Sequence, residues 1–128
     1  MADRQIFHLR PDGEKAFGYA QAVKLGNVVH VAGTLSVDDS FAPLHPGDMG
    51  AQIAAIYRSV ERTLAEFGAS LSNIAKETIF VTDMDAFLAA NAVRLQALGG
   101  NYPATTAVEV KRLAFPECMI EIEIVAAL

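Results

Sequence analysis

Residues 118–125 read C-M-I-E-I-E-I-V. The alternation has a period of two, so Cys118, Ile120, Ile122 and Ile124 fall on one side of an extended chain and Met119, Glu121, Glu123 and Val125 on the other. The first set is apolar and needs cover from other elements. The second mixes carboxylates with apolar groups, which suits neither a core nor a plain solvated face. A sheet built on such a strand carries helices on one face and offers the other to a neighbouring subunit. This strand therefore predicts an α+β fold and a homo-oligomer. Glu121 and Glu123 share the second face, about 7 Å apart. They read either as ion-paired or solvated groups, with Lys111 and Arg112 as partners, or as interface carboxylates, one of which positions a water for attack on an electrophile.

Working outward, Thr105–Val110 reads as the strand before, separated by a loop containing Pro116. Ile74–Thr82 is another strand, and Asp85 is placed to cap a helix bearing Phe87, Leu88, Val93, Leu95 and Leu98. Gly99-Gly100 ends that helix, and Pro103 prevents its resumption. Asp48 caps an earlier helix in which Ile53, Ile56, Tyr57, Val60, Leu64 and Phe67 recur at helical spacing for about five turns until Gly68. Ser36–Gly47, with Pro43 and Pro46, reads as a surface loop. Before it come strands at Gln5–Leu9, Ala20–Lys24 and Val28–Leu35, the last two joined by a hairpin at Gly26-Asn27. Pro11-Asp12-Gly13 reads as a turn. In Val28–Leu35 one face is Val29, Val31, Gly33 and Leu35, the other Val28, His30, Ala32 and Thr34. The order is β-β-β-α-β-α-β-β.

The 128 residues make a single domain, 1–128, large enough for a core without disulfide or metal. Hydrophobic residues are 52% and charged residues 20%, which excludes a disordered chain. A net charge of -5 without a basic stripe argues against nucleic acid as a partner. No apolar run approaches about 20 residues, so no membrane span is expected. The opening Met1-Ala2-Asp3-Arg4 lacks an apolar leader core, and the chain reads as cytoplasmic. No phosphate loop, nucleophile elbow or zinc-protease motif occurs. His8, His30 and His45 lack metal-ligand spacing, so no metal is expected. His30 reads as a hydrogen-bonded strand histidine, His45 as a solvated loop residue and Cys118 as a buried, inert thiol.

Four stretches together resemble one family: G-N-V-V-H-V-A-G-T-L (Gly26–Leu35), I-F-V-T-D-M-D-A-F (Ile79–Phe87), Y-P-A-T-T-A-V-E-V-K-R-L (Tyr102–Leu113) and I-E-I-E-I-V-A (Ile120–Ala126). They are similar in order and spacing to the Rid (reactive intermediate deaminase) family, also called YjgF or, by an older label, endoribonuclease L-PSP. The similarity runs from about Tyr19 onward and includes the helix that carries Gln52. The resemblance implies a chorismate-mutase-like mixed sheet with two helices on one face, assembled as a homotrimer with clefts between subunits. It also implies hydrolysis of small imines and enamines such as 2-aminoacrylate, with no metal or organic cofactor.

Carried over by position, Glu121 matches the family's water-holding glutamate, and Tyr19, Ala32, Gly33 and Asn91 match residues of the cleft wall. Gly18 stands where the best-characterised branch has proline. The family's Pro-Ala-Arg-Ser becomes Pro103-Ala104-Thr105-Thr106, so Thr105 replaces the arginine that grips a substrate carboxylate, and Ala107 replaces a cysteine. Thr105 and Thr106 are then substrate-binding candidates through their hydroxyls. Arg94 and Arg112 are the alternative cations. A guanidinium–carboxylate hydrogen bond contributes about 1.5–3 kcal/mol, so weak or absent action on 2-aminoacrylate is expected. The competing expectation is a non-catalytic trimer that binds a small molecule. A ribonuclease fits poorly with the acidic charge.

Overall fold

The structure is a computed structural model and describes residues 4–128. The leader reading at Met1, Ala2 and Asp3 lies outside the described residues. The strands are β1 (Arg4–Phe7), β2 (Ala22–Leu25), β3 (Val28–Leu35), β4 (Ile74–Val81), β5 (Ala104–Glu109) and β6 (Ile120–Ala127). The helices are α1 (Pro11–Phe17), α2 (Met49–Ala65) and α3 (Met84–Leu98), with a single 3-10 turn at Leu71–Asn73. The strands form one six-stranded sheet in the order β1-β2-β3-β6-β4-β5. Only β4 and β5 pair in parallel, and α3 supplies the crossover that a parallel pair requires. The sheet is thus mixed, with β6 inserted antiparallel between β3 and β4.

The covered face is the one the β6 alternation predicts. Ile120, Ile122, Ile124 and Ala126 are fully or almost fully buried against Ile53, Ile56, Val60 and Leu64 of α2 in one apolar cluster. Asp48 caps α2 by accepting the Ala51 N–H at 3.0 Å. That helix ends at Ala65, two residues short of Phe67. In α3 the cap is Asp83, which accepts the Ala86 N–H at 3.0 Å, and Asp85 lies in the first turn instead. Both aspartates suit a helix start, since an acid in the first turn complements the helix dipole. Only the backbone decides which one caps. Phe87 and Leu98 are buried, while Leu88 and Leu95 point outward.

Two further sequence expectations are corrected. Pro11-Asp12-Gly13 opens α1 and is not a turn. Proline fits the first helical position, and the Glu14 carboxylate reaches back to accept the Arg10 N–H at 2.6 Å. In β3 the alternation breaks between Val31 and Thr34, where the register against β6 shifts by one residue. Across this bulge Thr34, not Gly33, joins Val29 and Val31 on the covered face, and Thr34 is 2% exposed. The bulge is held by Ala32 N–H donating to Gln21 O at 2.8 Å and by the Thr34 hydroxyl donating to Ala32 O at 3.0 Å. Gly33 and Leu35 consequently face the same way as Glu121, which stands opposite Leu35.

No helix among the described residues is long and apolar enough to cross a membrane.

Candidate functional site

The bulge in β3 creates the site. With its side chain absent, Gly33 lets Glu121 lie against the strand: a Cβ there would fall 2.8 Å from Glu121 Cδ. Beside them opens a cleft of about 370 Å³. Tyr19, Ala32, Gly33 and Glu121, four of the residues singled out from sequence, line it together. Its remaining wall is apolar, formed by Leu35, Phe17, Phe41, Ala114 and Phe115.

Glu121 is half-buried, and among the described residues it forms no ion pair. Lys111 and Arg112, its expected partners, are exposed. Burial first, and then the neighbouring Glu123, raise its pKa above the ordinary carboxylate range. The carboxylate is thereby made a better base. Tyr19 is also shifted up, chiefly by burial and then by the charge of Glu14, with Glu121 adding a smaller push.

Three buried polar residues that sequence reading left unassigned position this wall. Glu14 is fully buried, and it accepts from His8 Nδ1 at 2.8 Å and from the Gln21 N–H at 3.1 Å in addition to Arg10. Its backbone carbonyl takes the N–H groups of Gly18 and Tyr19, which sets the chain at Tyr19. Gln52 of α2, also fully buried, donates to His45 O and Glu117 O and accepts the Met119 N–H at 2.8 Å, anchoring the entry to β6. Gln21 donates to the Thr34 hydroxyl at 3.1 Å, under the bulge. A polar residue interrupting an apolar helical face, as Gln52 does, was the one sequence signal for any of these.

Thr105 and Asn91 lie elsewhere. Thr105 pairs with Glu77 across β4 and β5, and Glu77 stands opposite Ile124 on the covered face. Thr105 is thus on the opposite side of the sheet from Glu121 within one chain. Its hydroxyl accepts from Arg94 Nη2 at 2.8 Å and lies 2.8 Å from Glu77 Oε2. Arg94 is committed to Glu77, donating Nε to Oε2 at 2.9 Å and adding Nη2 to the same oxygen. Burial alone would lower the Arg94 pKa, but the hydrogen bonds and charge of Glu77 hold it above the ordinary value. The Tyr57 hydroxyl donates to Glu77 Oε1 at 2.6 Å, and burial followed by the Glu77 charge pushes its pKa up. Asn91, one turn before Arg94 on α3, has a buried Oδ1 without a protein partner. Thr106, opposite Thr78, is exposed on the other face.

The remaining candidates are structural or open. Cys118 is buried, and desolvation, with Glu117 and Glu121, pushes its thiol up to about 11, so it stays protonated and inert. His30 is exposed rather than enclosed in a hydrogen bond. It borders a hollow of about 220 Å³ with Lys76, Thr78 and Glu123, on the mixed face of the sheet. Among the described residues no three or more of His, Cys, Asp and Glu cluster as a metal site would require.

Comparison with known proteins closes the question of kinship. The family model described as Endoribonuclease L-PSP matches residues 11–128. A RutC family protein of Pyrococcus abyssi is 35% identical over 108 residues, covering 84% of each chain. The 3-aminoacrylate deaminase RutC of Acinetobacter baylyi is 32% identical over 108 residues, covering 84% of this chain and 85% of its own. A crystal structure of a YjgF family member from Mycobacterium tuberculosis superposes with a TM-score of 0.85 at 33% identity, over 98% of this chain and 100% of that one. Yeast Mmf1 gives a TM-score of 0.87 at 27% identity, over 98% of both chains. A family model matched over residues 11–128, a relative 35% identical over 84% of each chain and a family structure superposed along almost the whole length have one explanation: the chain belongs to the Rid/YjgF (endoribonuclease L-PSP) family.

Proposed function

We propose that the chain binds a small imine, enamine or related molecule in the Glu121 cleft and hydrolyses it. The observation that carries this reading is a half-buried carboxylate, without a cationic partner among the described residues, facing a cleft of about 370 Å³. In the reaction Glu121 accepts a proton from water as the oxygen adds to the C=N carbon. That proton passes to nitrogen, Glu121 then takes the proton of the added hydroxyl as the carbonyl forms and relays it to nitrogen, and the C–N bond breaks to release ammonia and a carbonyl product. An enamine first tautomerises to the imine, a proton moving from nitrogen to carbon. The relative named 3-aminoacrylate deaminase supports the reaction class.

The carboxylate of a substrate such as 2-aminoacrylate has no obvious grip. Thr105 carries no charge, Arg94 is paired with Glu77, and Arg112 is exposed and does not line the cleft. Weak or absent turnover of that substrate is part of the proposal. So is self-association as a homotrimer, because Thr105 and Asn91 can join Tyr19, Gly33 and Glu121 only between copies. The mixed sheet face with His30, Thr78, Glu123 and Val125 suits such a contact. A single free cysteine fits a cytoplasmic setting. No nucleic-acid or membrane partner is proposed.

The engagement of Thr105 and Arg94 in a closed network favours one second reading, a trimer that binds its ligand without turnover. Ammonia release from imino acids generated in situ separates the two, measured for the unaltered chain, Glu121→Gln and Thr105→Arg. Release by the unaltered chain that is lost in Glu121→Gln supports hydrolysis. Silence with every imine tested, alongside ligand-dependent thermal stabilisation that survives Glu121→Gln, supports binding alone. Efficient turnover of 2-aminoacrylate by the unaltered chain overturns the role given to Thr105.

A further inference from the structure

We infer that a second hollow, which shares Tyr19 with the Glu121 cleft, binds the phosphate group of a small molecule between Arg4, His8 and Lys15. The site lies outside the cleft and stands whether or not the cleft hydrolyses its ligand.

Two segments meet in this hollow, which has a volume of about 410 Å³. From β1, an edge strand of the sheet, come Arg4 and Ile6, with His8 next in the alternation. Phe7, between them, packs instead on the apolar cluster and meets Phe67 edge-on. From α1 comes Lys15, in the last turn. Gly18 closes that helix at φ 93, a conformation glycine adopts without a steric penalty, and the chain turns there into Tyr19. A Cβ at Gly18 would meet no atom within 4 Å, so the space beside this turn is open.

An arginine, a lysine and a histidine line the hollow, and no carboxylate among the described residues does. On a chain of net charge -5 this is a local reversal of sign, which draws anions to the spot. Arg4 and Lys15 are exposed and form no ion pair among the described residues. His8 is anchored, with Nδ1 2.8 Å from Glu14 Oε1, which leaves Nε2 for a ligand. Glu14 is fully buried and also accepts the N–H groups of Arg10 and Gln21, so its charge is taken up within the fold. Tyr19, its phenol shifted up chiefly by burial, stays protonated and adds a hydroxyl donor. The two formal positive charges of Arg4 and Lys15 match a phosphate monoester, about −1.5 to −2 near neutral pH, better than a single carboxylate. The guanidinium fork, the ammonium and the imidazole can each meet a different phosphate oxygen.

The test titrates the full-length protein, as it assembles, with inorganic phosphate at neutral pH and low ionic strength, following amide shifts by NMR. Phosphate is expected to saturate with a Kd below about 10 mM and to shift the amides of His8, Lys15, Gly18 and Tyr19. Arg4→Gln and Lys15→Gln, both at exposed positions that leave the fold intact, should each weaken binding at least about threefold. Lys111→Gln, at an exposed lysine outside the hollow, should leave it unchanged. Benzyl phosphate separates two sources of the group. Tighter binding than inorganic phosphate marks the charged end of a larger ligand that reaches past Tyr19, and equal binding marks free phosphate. Either supports the site. Absence of saturation overturns the inference. So does a Kd unchanged in both hollow variants, or one weakened as much by Lys111→Gln, which would mean diffuse attraction to the surface. Ammonia release from an imine without phosphate binding sinks this site alone, and phosphate binding without ammonia release from any imine sinks hydrolysis alone.

Discussion

Two glutamates stand on opposite faces of one sheet, and their surroundings differ in almost every respect. Glu77 is 0% exposed on the covered face, where Tyr57, Arg94 and Thr105 take up its oxygens. Glu121 is half-buried on the other face and has no cationic partner among the described residues. A buried charge with its hydrogen bonds complete ties elements together, here α2, α3, β4 and β5. A charge held half-buried without a partner stabilises nothing in the fold and is available to a ligand. The difference teaches which carboxylate to test for structure and which for chemistry.

The largest expected effect breaks the comparison at Glu77. Glu77→Ala leaves Arg94 buried beside an unfilled space, and loss of one member of a buried pair costs about 3–5 kcal/mol. Urea unfolding checks it. A loss below about 1 kcal/mol would mean the network is no more than a surface ion pair, and the contrast with Glu121 would disappear.

Gly33→Ala sharpens the contrast from the other side. The added methyl meets only the mobile end of Glu121, so stability should change by under about 1 kcal/mol. Displacing the carboxylate should nevertheless slow ammonia release from imino acids about tenfold, since placement of the base sets the rate. Equal release by both chains would show that Glu121 is not held in position by the bulge.

The smallest effect is a pH signature. The Glu121 pKa is raised in the folded chain, so the fold binds its proton more tightly than the unfolded chain does. Stability from this group is present below the ordinary carboxylate range and is lost as pH rises through the folded value. Glu121→Gln removes that loss. The variant should melt at or slightly above the unaltered chain at pH 7.5, by under about 1 kcal/mol after allowance for solvent screening. The gap should close on acidification. A variant less stable at pH 7.5 would show that Glu121 has a structural partner.

Much of the fold was readable because its signals are local. The β6 alternation gave the covered face, Asp48 and the apolar spacing placed α2, and Gly99-Gly100 closed α3. The misreadings arose where two local rules compete. Pro11-Asp12-Gly13 satisfies both a turn and a helix start, and the reach of Glu14 to Arg10 decided for the helix. Asp83 and Asp85 both suit the start of α3, and backbone geometry chose Asp83. The bulge in β3 left no sequence mark beyond one glycine, yet it turned Thr34 inward and Gly33 toward Glu121.

The sequence by itself determined family kinship, the α+β class and the position of Glu121 on the uncovered face of the last strand. Kinship follows from the likeness of its motifs to a known family, and the other two from periodicity, which a chain carries whatever its neighbours do. Only the tertiary structure decided which residues share a space. It brought Tyr19, Gly33 and Glu121 to one aromatic cleft and sent Thr105 to the far face. It also spent Arg94 on Glu77, a residue 17 positions away in sequence. Charge pairing depends on distances of a few ångströms between distant segments, and no local pattern encodes them.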